Sequence, residues 1–218
     1  TADPDKYTIN FLFELCPMSA IDILINRSMT QQEALCVFAG ACEGIAHIHS
    51  KGFIHRDMKP ENILIAIDGT PRVCDFGSCT RTVYDTRDPS QREVCRADIS
   101  QNTTPVYRAP EMIDMLKGTI VGFPVDIWAL GCTLYKLVTR DNMYQEGETL
   151  AILQGKIKSI PNGDSFISEV IQMCINVDQQ QRSTAMTLLQ KLRTKQIAEA
   201  IQVKNESARR PHTSHFFS

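Results

Sequence analysis

The sequence predicts a mainly α-helical domain, α+β overall, with one small β-hairpin. Three observations carry this: apolar residues at three- and four-residue steps across 30–50, a succession of helical segments after residue 110, and an Asp-Gly turn between two short apolar stretches. In chain order, Asn10-Phe-Leu-Phe-Glu-Leu15 is a short apolar run with strand character, closed by Cys16-Pro17. Ser19 is placed to cap a short helix carrying Ile21, Leu24 and Ile25. The next helix, over 30–50, turns Leu35, Phe38, Cys42, Ile45 and Ile48 toward one buried face and stops at Gly52. Strands are expected over 63–67 and 72–74, joined through Asp68-Gly69. Residues 78–105 are polar and without sustained periodicity, which predicts a long loop, and loops of that length inside compact domains are usually functional. Helices follow over 110–117, 124–139, 148–155, 165–175 and 184–201. The tail is polar, and disorder is expected from Lys204 on.

Composition narrows the function classes. A chain of 218 residues with 43% apolar and 22% charged residues is that of an ordinary globular domain, large enough to bury about 70% of its unfolded surface. Lys and Arg number 23 against 25 Asp and Glu, a formal charge of −2, which leaves no basic field for nucleic acid. The most apolar stretch, 127–138, is interrupted by Lys136 and too short to span a bilayer. The opening Thr-Ala-Asp-Pro-Asp-Lys has no signal-peptide pattern. Eight cysteines stand singly with no CxxC pair; reduced thiols, most of them acting as small buried hydrophobes, are expected, and with them a cytoplasmic location.

The chemistry is concentrated in His55-Arg56-Asp57-Met58-Lys59-Pro60-Glu61-Asn62, followed by Asp75-Phe76-Gly77 and Ala109-Pro110-Glu111. At about 5% usage per residue type, the five specified residues of the first motif alone should arise by chance in roughly one such chain in ten thousand. These motifs, in this order, resemble the catalytic loop, metal-binding loop and activation-segment end of eukaryotic-type serine/threonine protein kinases. The resemblance covers about residues 7–200. It implies the hinge plus C-terminal lobe of a kinase: 1–18 as last strand and hinge, 19–201 as the lobe, and 202–218 as a disordered tail.

The residue types suit phosphoryl transfer, which needs an acceptor hydroxyl held in line and the triphosphate charge neutralised. The resemblance casts Asp57 as the base for a substrate hydroxyl, with Lys59 on the γ-phosphate and Thr104 completing the serine/threonine pattern. It casts Asn62 and Asp75 as oxygen ligands of Mg²⁺, and Phe13, Glu14, Cys16 and Leu64 as contacts of ATP. His55 and Phe76 are expected in the core, and Gly77 allows the turn after Asp75. Asp126 is expected to hold the catalytic loop from the first turn of its helix, and Glu111 and Arg182 to form a buried ion pair. Arg56 is expected to order the following segment through a phosphate on Thr80, Thr82, Ser90, Ser100 or Thr103. His47 and His49, two apart on a helix, face different ways and make no metal site.

Finer likenesses, in Cys74-Asp-Phe-Gly-Ser78, Tyr107-Arg-Ala-Pro-Glu-Met112 and the stretch 126–137, resemble the adaptor-associated (Numb-associated, cyclin-G-associated) kinase group. The 36 residues from Asp75 to Glu111 (111 − 75) fit that group's long activation segment. This likeness implies substrates related to clathrin adaptors, a role in endocytosis and an association with coated vesicles. No GxGxxG is present, and only nine residues precede Asn10. The N-terminal sheet lobe, with its Gly-rich loop and strand Lys, is thus expected to be largely absent, and this chain alone to be inactive or nearly so. Apolar Phe11, Leu12 and Phe13 would then be bare, predicting a partner or aggregation there. The alternative is a non-catalytic interaction module or regulatory fragment derived from a kinase.

Overall fold

The computed structural model describes residues 10–160 and 164–209, with 198–209 followed as backbone only. In chain order the elements are β1 (Met18–Ser19), α1 (Ala20–Asn26), α2 (Gln31–Ser50), β2 (Ile63–Ile65), β3 (Pro71–Val73), β4 (Tyr84–Asp85), α3 (Pro89–Asn102), α4 (Pro110–Ile113), β5 (Ile120–Val121), α5 (Pro124–Thr139), α6 (Thr149–Leu153), α7 (Ser165–Cys174) and α8 (Ala185–Arg209). The core is helical. Helix α5 is buried along most of its length and packs on α2 and α7, while α8 lies along α2. Capping boxes at Ser19–Asp22 and Thr30–Glu33 start α1 and α2 by satisfying the free N–H groups of their first turns.

The hairpin that carries the site is fixed to α2 by the absence of two side chains. A Cβ at Gly40 would stand 2.6 Å from Pro71 Cβ, and one at Gly44 would stand 2.4 Å from Val73 Cγ2. Strand β3 therefore lies directly on the helix backbone. Gly→Ala in a helix interior ordinarily gains up to about 1 kcal/mol, whereas forcing a methyl into a filled space costs about 1–3 kcal/mol. Because Val73 is short and its own Cβ lies only 3.0 Å away, the steric cost wins. Gly44→Ala should lower the melting temperature rather than raise it; thermal unfolding followed by circular dichroism checks the sign.

Several expectations are corrected. The run 10–15 forms no strand: 10–17 has no ladder partner among the described residues, and Leu12 is fully exposed. An apolar run becomes a strand only where another edge takes its backbone groups. The side of β2 not taken by β3 pairs instead with β1, Met18 opposite Ile65. Residues 78–105 are not one loop. Asp88 caps α3 with Pro89 in its first turn, the helix buries Cys95 and Ile99, and β4 pairs with β5. The backbone of α8 is followed to Arg209; the rest of the tail expected to be disordered from Lys204 lies outside the described residues. All eight cysteines are free, but only four, Cys42, Cys95, Cys132 and Cys174, are buried; Cys36 is exposed and Cys16, Cys74 and Cys79 are half-buried. Burial pushes the thiols of Cys42, Cys132 and Cys174 well up, in keeping with small apolar core groups. Among the described residues no helix is long and apolar enough to cross a membrane.

Candidate active site

The loop after α2 is shaped by a buried acid. Asp126, in the first turn of α5 after Pro124, is fully buried. Its carboxylate accepts from the backbone N–H of His55 (2.8 Å) and of Arg56 (2.7 Å) and lies 2.8 Å from His49 Nε2. These bonds hold Arg56 at φ 70°, a left-handed conformation that costs a non-Gly residue about 1–2 kcal/mol. His55 is fully buried, as expected. Its Nε2 lies 3.0 Å from Cys74 O, and its Nδ1 accepts from Asp57 N at 3.3 Å. A carbonyl can only accept and an amide N–H only donate, so these contacts require the neutral ring protonated at Nε2.

Asp57 is the centre of a polar cluster and only 8% exposed. Its Oδ2 accepts from Lys59 Nζ (2.6 Å) and Asn62 Nδ2 (3.2 Å), and its Oδ1 from Thr104 Oγ1 (2.6 Å) and Thr104 N (3.2 Å). Lys59 Nζ also donates to Thr104 Oγ1 at 2.9 Å, and Asn62 Nδ2 to the Asp57 carbonyl at 2.7 Å. Four of the expected residues, from two distant stretches, thus share one hydrogen-bonded group.

The hairpin delivers the fifth. Ile63 pairs with Val73, and Cys74 N donates to Asn62 O at 3.0 Å. Asp75 therefore begins where Asn62 ends, across the mouth of the hairpin. Asp75 is exposed, at φ 61°, and accepts from Gly77 N at 3.2 Å. The amide nitrogen of Asn62 is committed to Asp57, and its Oδ1 has no donor among the described residues, nor has Asp75 Oδ2. Two uncommitted oxygen donors on rigid backbone fit Mg²⁺, which takes one or two protein ligands and completes its shell with phosphate and water. No group of three or more His, Cys, Asp or Glu suited to a metal occurs among the described residues.

Other expectations fare unevenly. Glu111 and Arg182 form the buried pair: Nη1 to Oε1 is 2.7 Å and Nη2 to Oε2 is 3.0 Å. The remaining N–H groups of Arg182 go to the carbonyls of Pro124 and Asn176. Phe76 is not in the core; it is 56% exposed, with its ring centroid 5.8 Å from that of His55. Phe13 is 81% exposed and stacks on Phe11 at 6.2 Å. The Glu14 carboxylate is held by Arg72 Nε at 2.9 Å. Cys16 and Leu64 are half-buried, Leu64 between Ser19 and Arg72 in the sheet.

Sequence reasoning missed two participants. His49 holds Asp126 from α2 and packs edge-on against Phe123, a partnership 77 residues apart. The second is Asp98. Arg56 was expected to await a phosphate, but its Nη1 donates to Asp98 of α3 and its Nε to Ser78 O at 2.6 Å. Burial pushes the Asp98 carboxyl up, yet the Tyr84 hydroxyl at 2.8 Å and the Arg56 guanidinium together hold it below the usual carboxylate range. Burial, with Asp98 beside it, pushes the Tyr84 phenol up to about 12.

Comparison with known proteins gives this geometry its family. The protein kinase domain model matches residues 2–192. Actin-regulating kinase 1 of Saccharomyces cerevisiae is 32% identical over 195 residues, covering 86% of this chain and 31% of that protein. Serine/threonine-protein kinase sel-5 of Caenorhabditis elegans is 34% identical over 189 residues, 82% of this chain and 17% of that protein. Serine/threonine-protein kinase 16 of Homo sapiens is 30% identical over 171 residues, 75% of this chain and 56% of that protein. The chain belongs to the protein kinase family and, by family, is a serine/threonine kinase. It spans at most 56% of the length of these curated relatives.

Proposed function

We propose that this chain carries the catalytic residues for moving the γ-phosphoryl group of ATP to serine or threonine hydroxyls of protein substrates. The observation that carries the reading is the cluster on Asp57, a mostly buried carboxylate joined by Lys59, Asn62 and Thr104. In this reading Asp57 accepts the acceptor hydroxyl's proton, a step worth about 10²- to 10⁴-fold in rate. Lys59 offers its ammonium to the γ-phosphate while it orients Asp57, and the Thr104 hydroxyl fixes the unused carboxylate oxygen. Asn62 and Asp75 would hold Mg²⁺, which when bound neutralises phosphate charge. Phe13, Glu14, Cys16 and Leu64 would line the adenine side.

These 218 residues alone are proposed to turn over little, because the sequence supplies no Gly-rich loop or strand Lys to enclose the phosphates, and water around them weakens every electrostatic contact. The test is a Mg²⁺-dependent phosphate-transfer assay of the 218-residue chain and of a chimera carrying a relative's Gly-rich sheet lobe at its N-terminal side. The chimera should exceed the chain alone by at least 100-fold and lose that gain with Asp75→Asn. Equal turnover by both would refute the dependence, and no loss with Asp75→Asn would refute the metal assignment.

A second reading, a kinase-derived interaction module, is favoured by the apolar Phe11, Leu12, Phe13 and Leu15, all at least 70% exposed. It predicts that binding of a partner at this face survives Asp57→Asn. The finer placement in the adaptor-associated group rests on the motif likenesses at 74–78, 107–112 and 126–137. The relative named as an actin-regulating kinase supports a related role. Clathrin-adaptor substrates, endocytic traffic and a cytoplasmic, vesicle-associated location are proposals on that basis.

A further inference from the structure

Resting on the phosphotransfer reading above, we propose that Asp98 is a positioning residue that supplies Arg56 with an anion from within the chain. Residues 80–104 then take up their working arrangement without being phosphorylated.

Arg56 immediately precedes Asp57 and is 9% exposed at its side chain, so its charge needs a partner there. Asp98 fills that need and is itself held in place. Its Oδ2 accepts from Arg56 Nη1 and from the Tyr84 hydroxyl at 2.8 Å, and its Oδ1 from Asn102 Nδ2 at 2.7 Å. Tyr84 lies in β4, whose ladder with β5 anchors the start of the segment. Asp98 thereby ties the catalytic loop, the start of the segment and the middle of α3 together at one carboxylate.

The connection continues to the reacting centre through the end of α3. Thr103 Oγ1 donates to Ile99 O at 2.7 Å. Arg108 donates to Ile99 O, Thr103 O and Thr103 Oγ1, placing a cation on the carbonyl end of the helix, where the helix dipole favours it. The next residue is Thr104, whose hydroxyl and N–H both reach Asp57 Oδ1. A phosphate added to this segment would bring about −1.5 to −2 charges, but the Arg56 guanidinium is already paired with Asp98. Phosphorylation has little left to order.

The experiment compares wild type, Asp98→Asn, Asp98→Glu, Tyr84→Phe and Asp57→Asn in the full chain, after phosphatase treatment and with mass spectrometry showing no phosphate. Hydrogen exchange over 80–104 in the full chain is the first readout, and kcat and KM for ATP, measured with the same substitutions in the chimera carrying a Gly-rich lobe, the second. Phosphate-free wild type should keep slow exchange. Asp98→Asn keeps size and loses charge, and should speed exchange over 80–104 and lower kcat by about tenfold or more, as for loss of a charged hydrogen bond, with KM for ATP within twofold. Asp98→Glu should recover most of both, and Tyr84→Phe should produce a smaller change in the same direction. Exchange in Asp98→Asn equal to wild type, or loss of protection in phosphate-free wild type, overturns the proposal. If the chimera with a Gly-rich lobe transfers phosphate as fast with Asp57→Asn as without it, or transfers none in either form, the reading of Asp57 fails and exchange alone decides the role of Asp98.

Discussion

Asp57→Asn should lower kcat by about 10²- to 10⁴-fold while leaving the fold and the KM for ATP nearly unchanged. Asn matches Asp in size and keeps one acceptor oxygen, which can serve Thr104 or Lys59 but not both, so the fold can persist while the cluster around position 57 loosens. What is lost is a group able to take a proton from the acceptor hydroxyl. Steady-state phosphate transfer in a catalytically competent form, such as the chimera with a Gly-rich lobe, measures the effect, and thermal unfolding confirms that the variant folds. A fall in kcat of less than tenfold would mean that Asp57 orients rather than accepts.

The second large effect is on stability. Arg182→Ala should cost about 3–5 kcal/mol, because Glu111 would be left charged in a site where its side chain is 3% exposed. For a domain of this size that corresponds to a fall in melting temperature of roughly 6–20 °C. All five N–H groups of Arg182 are used: Glu111 takes two, the carbonyls of Pro124 and Asn176 take the rest, and the guanidinium lies 5.2 Å from the centre of the Trp128 ring. The cost of desolvating the pair means that its net contribution is smaller than the damage done by breaking it. Glu111→Gln combined with Arg182→Met should accordingly cost less than the two single changes added together, a coupling that a double-mutant cycle reads directly. Full additivity would contradict a direct pair.

The parts of the site legible in the sequence are those whose spacing along the chain is itself the constraint. Asp57, Lys59 and Asn62 lie within six residues of one another, and the Asp68-Gly69 turn announces the hairpin that carries Asp75 to Asn62. The period of α2 is equally plain, since Phe38, Cys42 and Ile45 repeat on one face and are fully buried. Helix α3 was hidden because its buried stripe is two residues, Cys95 and Ile99, in an otherwise polar stretch. The signal that could have revealed it is Asp88-Pro89, a capping acid followed by the residue best suited to a first helical position. Asp98 and His49 carry no local signature: each owes its role to a partner more than 40 residues away, Arg56 and Asp126 respectively. The run from Phe11 to Leu15 misled for the opposite reason, as its composition suits a strand while no described neighbour pairs with it.

The account depends on Asn62 and Asp75 presenting their free oxygens to one ion beside Asp57. Binding Mn²⁺ with ATP in place of Mg²⁺, and following paramagnetic broadening by nuclear magnetic resonance, tests this most directly. Signals of Asn62, Asp75 and Gly77 should broaden together, Asp57 should be affected next, and a carboxylate engaged elsewhere, such as Asp164 at the start of α7, should stay sharp. Broadening that spares Asn62 or Asp75 would contradict the shared site.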